Sequence, residues 1–318
     1  MHDAVVITGS VLKGAFAAGA LSVLTDPVVK AAHGINIREV YGTSSGALNG
    51  AYLATSIRQG DEADCGKRLS AVWIDKVHAT NIFSLSTKGI LGLRGICDMR
   101  KLIKLMRALL TAKPGREAVS LHMTVADLQG RMTGLGTCHE LAMSFSGNAF
   151  DTESGLDAIR SVAAASASVP GLFVPFQLRA GGRVVEAADG GLVNDTPLLQ
   201  ALRSPEVQRV FIIDAYPLQL PGVRPAGFSL IGQLLRIITQ ERLVRDLTTA
   251  YASDKKIVQI RPSELLPGGD LSGAFSRRLR QQYVGAGALA AGCALRGDTE
   301  LHRSSVCRRQ AASASAVM

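Results

Sequence analysis

Short apolar runs alternate with longer stretches of helical period at the start of this chain. Ala4–Thr8, AVVIT, is continuously apolar and ends at Gly9. An alanine-rich pattern, GAFAAGALSVL, starts at Gly14. That order predicts a strand, a glycine turn and a helix. The signals then repeat. Ile35–Tyr41, INIREVY, is followed by GTSSG at 42–46 and by the helical pattern Ala47–Ile57. Two strand–turn–helix units in succession predict a parallel sheet with helices on both faces.

Further along, residues 60–118 read as mostly helical and rich in charge. Met123–Leu128 and Leu141–Phe145 read as strands joined by the turn-rich GRMTGLGT. Leu156–Ala167 is a small-residue helix that stops at Val169-Pro170-Gly171. Arg183–Ala187 is a strand leading into Asp189-Gly190-Gly191, and Val210–Asp214 is a buried strand. Two long helical patterns follow, Leu230–Ala252 and Phe275–Leu295. No repeat and no linker divides the chain. The reading is one domain over residues 1–302 and a small, polar, disordered tail over 303–318.

Composition narrows the function classes. Hydrophobic residues are 47% of the 318 and aromatic residues 5%, with 33 glycines. This suits a helix-and-sheet enzyme with a sizeable core. The formal net charge is +9. No basic block is interleaved with stacking aromatics, so nucleic acid is not expected as a partner. Anionic lipid headgroups are the more natural partner for that charge. The five cysteines, Cys65, Cys97, Cys138, Cys293 and Cys307, are scattered. They form neither a metal pair nor a disulfide framework, which fits a reducing compartment. No basic-then-apolar leader opens the chain, and no apolar run reaches the roughly 18 residues of a membrane span. The expectation is a cytoplasmic protein, with signal-less export compatible.

The GTSSG turn poses the chemical question. In a G-x-S-x-G turn between strand and helix, the serine stands on a strained elbow. The flanking Gly42 and Gly46 let the backbone turn and keep side chains off the hydroxyl. Ser44 is the central serine, and the helix after it points N–H groups at a developing oxyanion. Small residues also cluster in turns for conformational reasons alone. A serine needs a base. The six histidines are His2, His33, His78, His122, His139 and His302. None stands in a glycine turn at the end of a buried strand, so a Ser–Asp–His triad is poorly supported. Asp189 is the better candidate. It follows a strand, precedes two glycines, and could accept the serine proton directly from about 2.6–3.2 Å. Burial would have to raise its proton affinity. The competing reading is a turn aspartate in a D-G loop.

Four segments in order resemble the patatin-like phospholipases. They are ITGSVLKGAFAAGAL, YGTSSGALNGAYLA, SVAAASASVPGLFVPF and ADGGLVNDTPL, spanning about residues 4–215. The resemblance implies a three-layer α/β/α fold with a mainly parallel sheet, like patatin and cytosolic phospholipase. It implies hydrolysis of a phospholipid or lysophospholipid fatty-acyl ester through a Ser44–Asp189 dyad and an acyl-enzyme, without metal or cofactor. It casts Gly9–Gly14 as the oxyanion loop, acting with the Ser45 N–H, and Lys13 as the loop's basic residue. Asn194 and Pro197 match the residues that brace the loop after Asp189-Gly190-Gly191. Two departures from the family pattern stand out. Ser10-Val11 replaces consecutive glycines, and a β-branched valine resists φ > 0. Asp195 stands where the family often has asparagine. The alternatives are acyl transfer from the same intermediate, and a lipid-binding protein without turnover. A phosphate-loop reading of GSVLKG fails because Ala15, not serine or threonine, follows Gly14.

One further segment carries a signal. Asp98–Gly115 places Leu102, Ile103, Met106, Leu109 and Leu110 on one helical face, with Arg100, Lys101, Lys104, Arg107 and Lys113 supplying charge. It reads as a surface helix packed on the core, or as a lid or membrane-facing helix.

Overall fold

The computed structural model describes residues 1–92, 94–218 and 228–297. The tail expected over 303–318 lies outside the described residues. From the N-terminus run β1 (His2–Ile7), a 3-10 turn (Val11–Gly14), α1 (Ala15–Leu24), α2 (Pro27–His33), β2 (Ile37–Thr43) and α3 (Ser45–Arg58). Next come α4 (Cys65–Asp75), α5 (Ala79–Ile82), β3 (Ser84–Leu85), α6 (Thr87–Leu91), β4 (Gly95–Asp98) and α7 (Arg100–Leu109). β5 (Ser120–Thr133) and β6 (Gly136–Ser146) form a hairpin, followed by α8 (Glu153–Ser166) and β7 (Gly171–Phe173). β8 (Phe176–Ala180), β9 (Arg183–Ala188), α9 (Gly191–Asn194), α10 (Leu198–Arg203) and β10 (Val207–Ile213) follow. The described chain closes with α11 (Phe228–Tyr251), β11 (Lys256–Ile260) and α12 (Arg277–Leu295).

The main sheet has the order β11-β10-β1-β2-β5-β9-β8, with β6 also paired to β5. The pairs from β11 through β5 are parallel, and β5 with β6, β5 with β9 and β8 with β9 are antiparallel. The side-chain period of two explains the apolar runs. In β1, Val5 and Ile7 enter one core, whereas Ala4 and Val6 enter the other. In β10, Phe211 and Ile213 join the first and Val210 and Ile212 the second. A strand covered on both faces has no solvent side, so its sequence is apolar throughout. The first core takes residues from α1, α3, α4, α8 and α12, and the second from α10 and α11. The result is the expected α/β layering, with helices on both sides of a mostly parallel sheet.

The stretch 60–118 departs from its helical reading. It contains α4 and α7, but also β3 and β4, which pair with β7 in a separate three-stranded sheet. α7 ends at Leu109 rather than continuing to Gly115. Its Leu102 and Met106 are buried, and Arg100, Lys101, Lys104 and Arg107 are exposed. Among the described residues, no single helix is long and apolar enough to cross a membrane.

Candidate active site

Two neighbours of β5 converge on one level of that strand. β2 runs parallel to it and ends with Thr43 opposite Thr124. β9 runs antiparallel to it, with Ala188 opposite Ala126. The next residue on β2 is Ser44, and the next on β9 is Asp189. β6 holds the other edge of β5 here, so β2 and β9 abut end to end on one edge and their next side chains meet beside it. Ser44 Oγ donates to Asp189 Oδ2 at 2.7 Å, within a buried pair.

Ser44 has φ 55° and ψ −126°, a conformation that L residues adopt at a cost of about 1–3 kcal/mol. The surroundings hold it there. Its N–H donates to Ser166 Oγ at 2.8 Å, and Ser166 Oγ donates to the Thr124 carbonyl at 2.6 Å. Gly46 lets α3 start against β1, because a Cβ there would lie 2.1 Å from the Ile7 carbonyl oxygen. Gly42, the last-but-one residue of β2, enters the elbow from the other side.

Asp189 is held from several sides. Its Oδ1 accepts the Gly191 N–H at 2.8 Å. Its own N–H donates to the Ser168 carbonyl at 3.0 Å, and the Gly190 N–H donates to the Ser166 carbonyl at 3.1 Å. Burial pushes the Asp189 carboxyl up to about 6, against the lowering effect of the Ser44 and Gly191 hydrogen bonds. The carboxyl is thereby a stronger base than an exposed aspartate, yet still ionised at neutral pH.

The Gly9–Gly14 loop lies beside this pair. The Gly9 N–H donates to Asp195 Oδ1 at 3.1 Å and the Ser10 N–H to Ser45 Oγ at 3.0 Å. These two groups, expected to face an oxyanion, are engaged with protein acceptors. The N–H groups of Val11 and Ser45 have no hydrogen-bond partner among the described residues. Val11 takes φ 50°, so the β-branched residue does occupy the left-handed region. Lys13 is buried, with Nζ 3.4 Å from Asp270 Oδ1 and 5.1 Å from the centre of the Tyr216 ring. It anchors the loop to the C-terminal part of the chain. The Gly14 carbonyl accepts from Asn49 Nδ2 at 2.9 Å.

Bracing comes from the segment after Asp189. The Asn194 carbonyl accepts from Thr43 Oγ1 at 3.0 Å, and Asn194 Nδ2 donates to Glu140 at 2.7 Å. Pro197 caps α10. The sequence pattern does not single out Ser166, Ser168 or Glu140, and nothing in the small-residue helix separates Ser166 from its alanine neighbours.

No described histidine hydrogen-bonds to Ser44 or Asp189. His2, His122 and His139 engage Glu39, Ser144 and the Asp127 carbonyl. Among the described residues, no group of three or more His, Cys, Asp or Glu side chains is placed to hold a metal ion.

An apolar cavity of about 50 Å³ lies between α3, α4 and α7, lined by residues including Leu48, Tyr52, Leu69, Trp73, Leu102 and Met106. Its Trp73 wall adjoins the elbow. A Cβ placed on Gly14 would be 2.8 Å from the Trp73 ring and 2.9 Å from Ser45 Cβ.

A family model described as "Patatin-like phospholipase" matches residues 5–202. No curated protein matches the chain. Among solved structures, VipD from Legionella pneumophila is similar at 14% identity and a TM-score of 0.43, over 93% of this chain and 67% of that one.

Proposed function

Because the chain belongs to the patatin-like phospholipase family, we propose that it hydrolyses a lipid carboxylic ester, a phospholipid or lysophospholipid fatty-acyl ester, through Ser44 and Asp189. The observation that carries this reading is the 2.7 Å hydrogen bond from Ser44 Oγ to a buried carboxylate with raised proton affinity. Ionised Asp189 takes the Ser44 proton as Oγ attacks the acyl carbon. The carbonyl electrons move onto oxygen, which the open N–H groups of Val11 and Ser45 receive. The oxyanion collapses, the ester C–O bond breaks, and the leaving alkoxide takes the proton from Asp189. Water then gives a proton to Asp189 and attacks the acyl-enzyme. Collapse releases the fatty acid and returns the proton to Ser44.

The acyl chain needs apolar cover. The cavity beside Trp73 supplies it, but about 50 Å³ falls short of the ~300–1,000 Å³ of a small-molecule pocket. Admitting a long chain requires α7 to shift outward. Its exposed cations, Lys104 and Arg107 among them, favour contact with an anionic bilayer.

A fluorophosphonate probe tests the nucleophile. Labelling of the wild type that vanishes in Ser44→Ala and falls sharply in Asp189→Asn is expected, together with release of free fatty acid from phospholipid vesicles. A folded wild type that is neither labelled nor active overturns the reading. Product transferred to added lysolipid or alcohol, in place of free acid, would make the enzyme a transferase.

A further inference from the structure

Asp195 stands where the Gly9 loop, the Asp189 turn and the elbow meet, and the mechanism above gives it no step. Its Oδ1 accepts the Gly9 N–H at 3.1 Å. A Cβ on Gly9 would lie 2.3 Å from that oxygen and 3.0 Å from Ser44 Cβ, so only glycine lets the carboxyl come this close. On its other side, Asp195 Oδ1 lies 3.1 Å from the Cβ position of Gly191, and Asp189 Oδ1 lies 3.0 Å from the same point. Two carboxyl groups thus flank one spot, directly beside the nucleophile.

The charges around Asp195 are mostly of its own sign. Burial, then Asp214, then Asp189, push its carboxyl well above the usual carboxylate range. Asp214 is itself paired with Arg261 at 3.0 Å. Arg242 of α11 bonds to the Val193 carbonyl and lies 3.5 Å from Glu140. Lys13 in the loop is turned to Asp270. Among the described residues, no cation forms an ion pair with Asp195.

We propose that Asp195 is a positioning residue: its carboxyl holds the Gly9–Gly14 loop over Ser44, and gain of charge there weakens the site. A neutral carboxyl still offers Oδ1 as an acceptor to Gly9. The loop held this way carries the Val11 N–H two residues on. An ionised Asp195 would set a second negative charge beside the nascent oxyanion, in a place with little water to screen it.

The proposal rests on the reading of Ser44 as nucleophile, and the test separates the two. The pH dependence of kcat is measured for the wild type, Asp195→Asn and Asp195→Ala. The Gly9 amide resonance is followed against pH by NMR in the wild type and Asp195→Asn. Asp195→Ala is expected to lower kcat by roughly tenfold to a hundredfold through loss of loop position, with KM little changed. Asp195→Asn keeps an acceptor oxygen, so it should recover most of that loss and remove any fall in kcat with rising pH that the wild-type carboxyl causes. The Gly9 amide should titrate in the wild type and not in Asp195→Asn. A folded Asp195→Ala at full kcat, or an Asp195→Asn that recovers none of the loss, overturns the proposal. A wild type that neither turns over ester nor is labelled speaks against Ser44 alone. The Gly9 amide then decides: titration lost in Asp195→Asn supports the hold, and an invariant resonance overturns it.

Discussion

Ser166 Oγ accepts the Ser44 N–H at 2.8 Å, and the carbonyl of the same residue accepts the Gly190 N–H at 3.1 Å. One serine on α8 thus ties down the elbow and the aspartate turn together. In Ser166→Ala the Ser44 N–H loses this acceptor inside a buried site, a loss of about 1–3 kcal/mol. Urea unfolding should show that loss. Activity should fall by more than the unfolded fraction accounts for, because the strained Ser44 conformation relaxes. A variant matching the wild type in both respects would dissociate Ser166 from the elbow.

The Asp189 carboxyl, raised to about 6, gives a pH prediction with a definite sign. The proposed mechanism needs Asp189 ionised, so kcat/KM should rise with pH through about 6. Stability runs the other way. The folded state binds this proton more tightly than the unfolded chain does, so the contribution of Asp189 is fully present below its unfolded value of 3.8 and is lost as pH rises through about 6. Asp189→Asn removes that penalty. It should be inactive yet more stable than the wild type at pH ~8, by on the order of 1–3 kcal/mol, with the difference shrinking toward pH ~4. Denaturant curves at the two pH values check this. An Asp189→Asn no more stable than the wild type at the higher pH would show that the carboxylate is not strained by burial.

Val11 is held at φ 50°, where a β-branched side chain is strained by roughly 1–3 kcal/mol. Val11→Gly relieves that strain and gives back about 0.5–1 kcal/mol in unfolded-chain entropy. The variant is expected to be at least as stable as the wild type, and its kcat should rise as the Val11 N–H gains freedom to meet the oxyanion. Differential scanning calorimetry and steady-state kinetics check both. A clear fall in Tm would mean that the valine side chain contributes more by packing than its backbone costs.

Met106 lines the cavity beneath α7 and is buried. Met106→Trp should fill that space, at a destabilisation of about 1–3 kcal/mol. It should lower kcat/KM for long-chain esters much more than for acetyl or butyryl esters. An equal effect on both would place the acyl chain elsewhere.

The legible part of the fold was the part whose residues face one consistent environment. Ala4–Ile7 of β1 and Val210–Ile213 of β10 are covered on both faces, so these stretches are unbroken apolar runs. The elbow and the Asp189 turn are legible because close backbone approach demands glycine in a fixed order: a Cβ on Gly42, Gly46 or Gly190 would lie 2.5, 2.1 or 2.1 Å from a carbonyl oxygen. The site's supports were not. Gly9 and Asp195 are 186 residues apart and Ser44 and Ser166 are 122 apart, and no local pattern records such a contact. β3 pairs over two residues, too few to establish a period. β5 and β6 run out to Thr133 and Gly136 as a largely exposed ribbon, so the polar residues read as a loop are strand. β11, KIVQI, is not legible because five residues between helical patterns give little signal.

The shared anchorage on Ser166 also bears on how the site responds to heat. Ser44 and Asp189 follow two strands that abut on one edge of β5 without pairing to each other, so breathing of the sheet would ordinarily open the gap between them. With both backbones fastened to the last turn of α8, they travel as one body, and their spacing survives until that turn frays. Inactivation on warming should therefore be abrupt, tracking the melting of a single helix end in place of a gradual softening of the sheet.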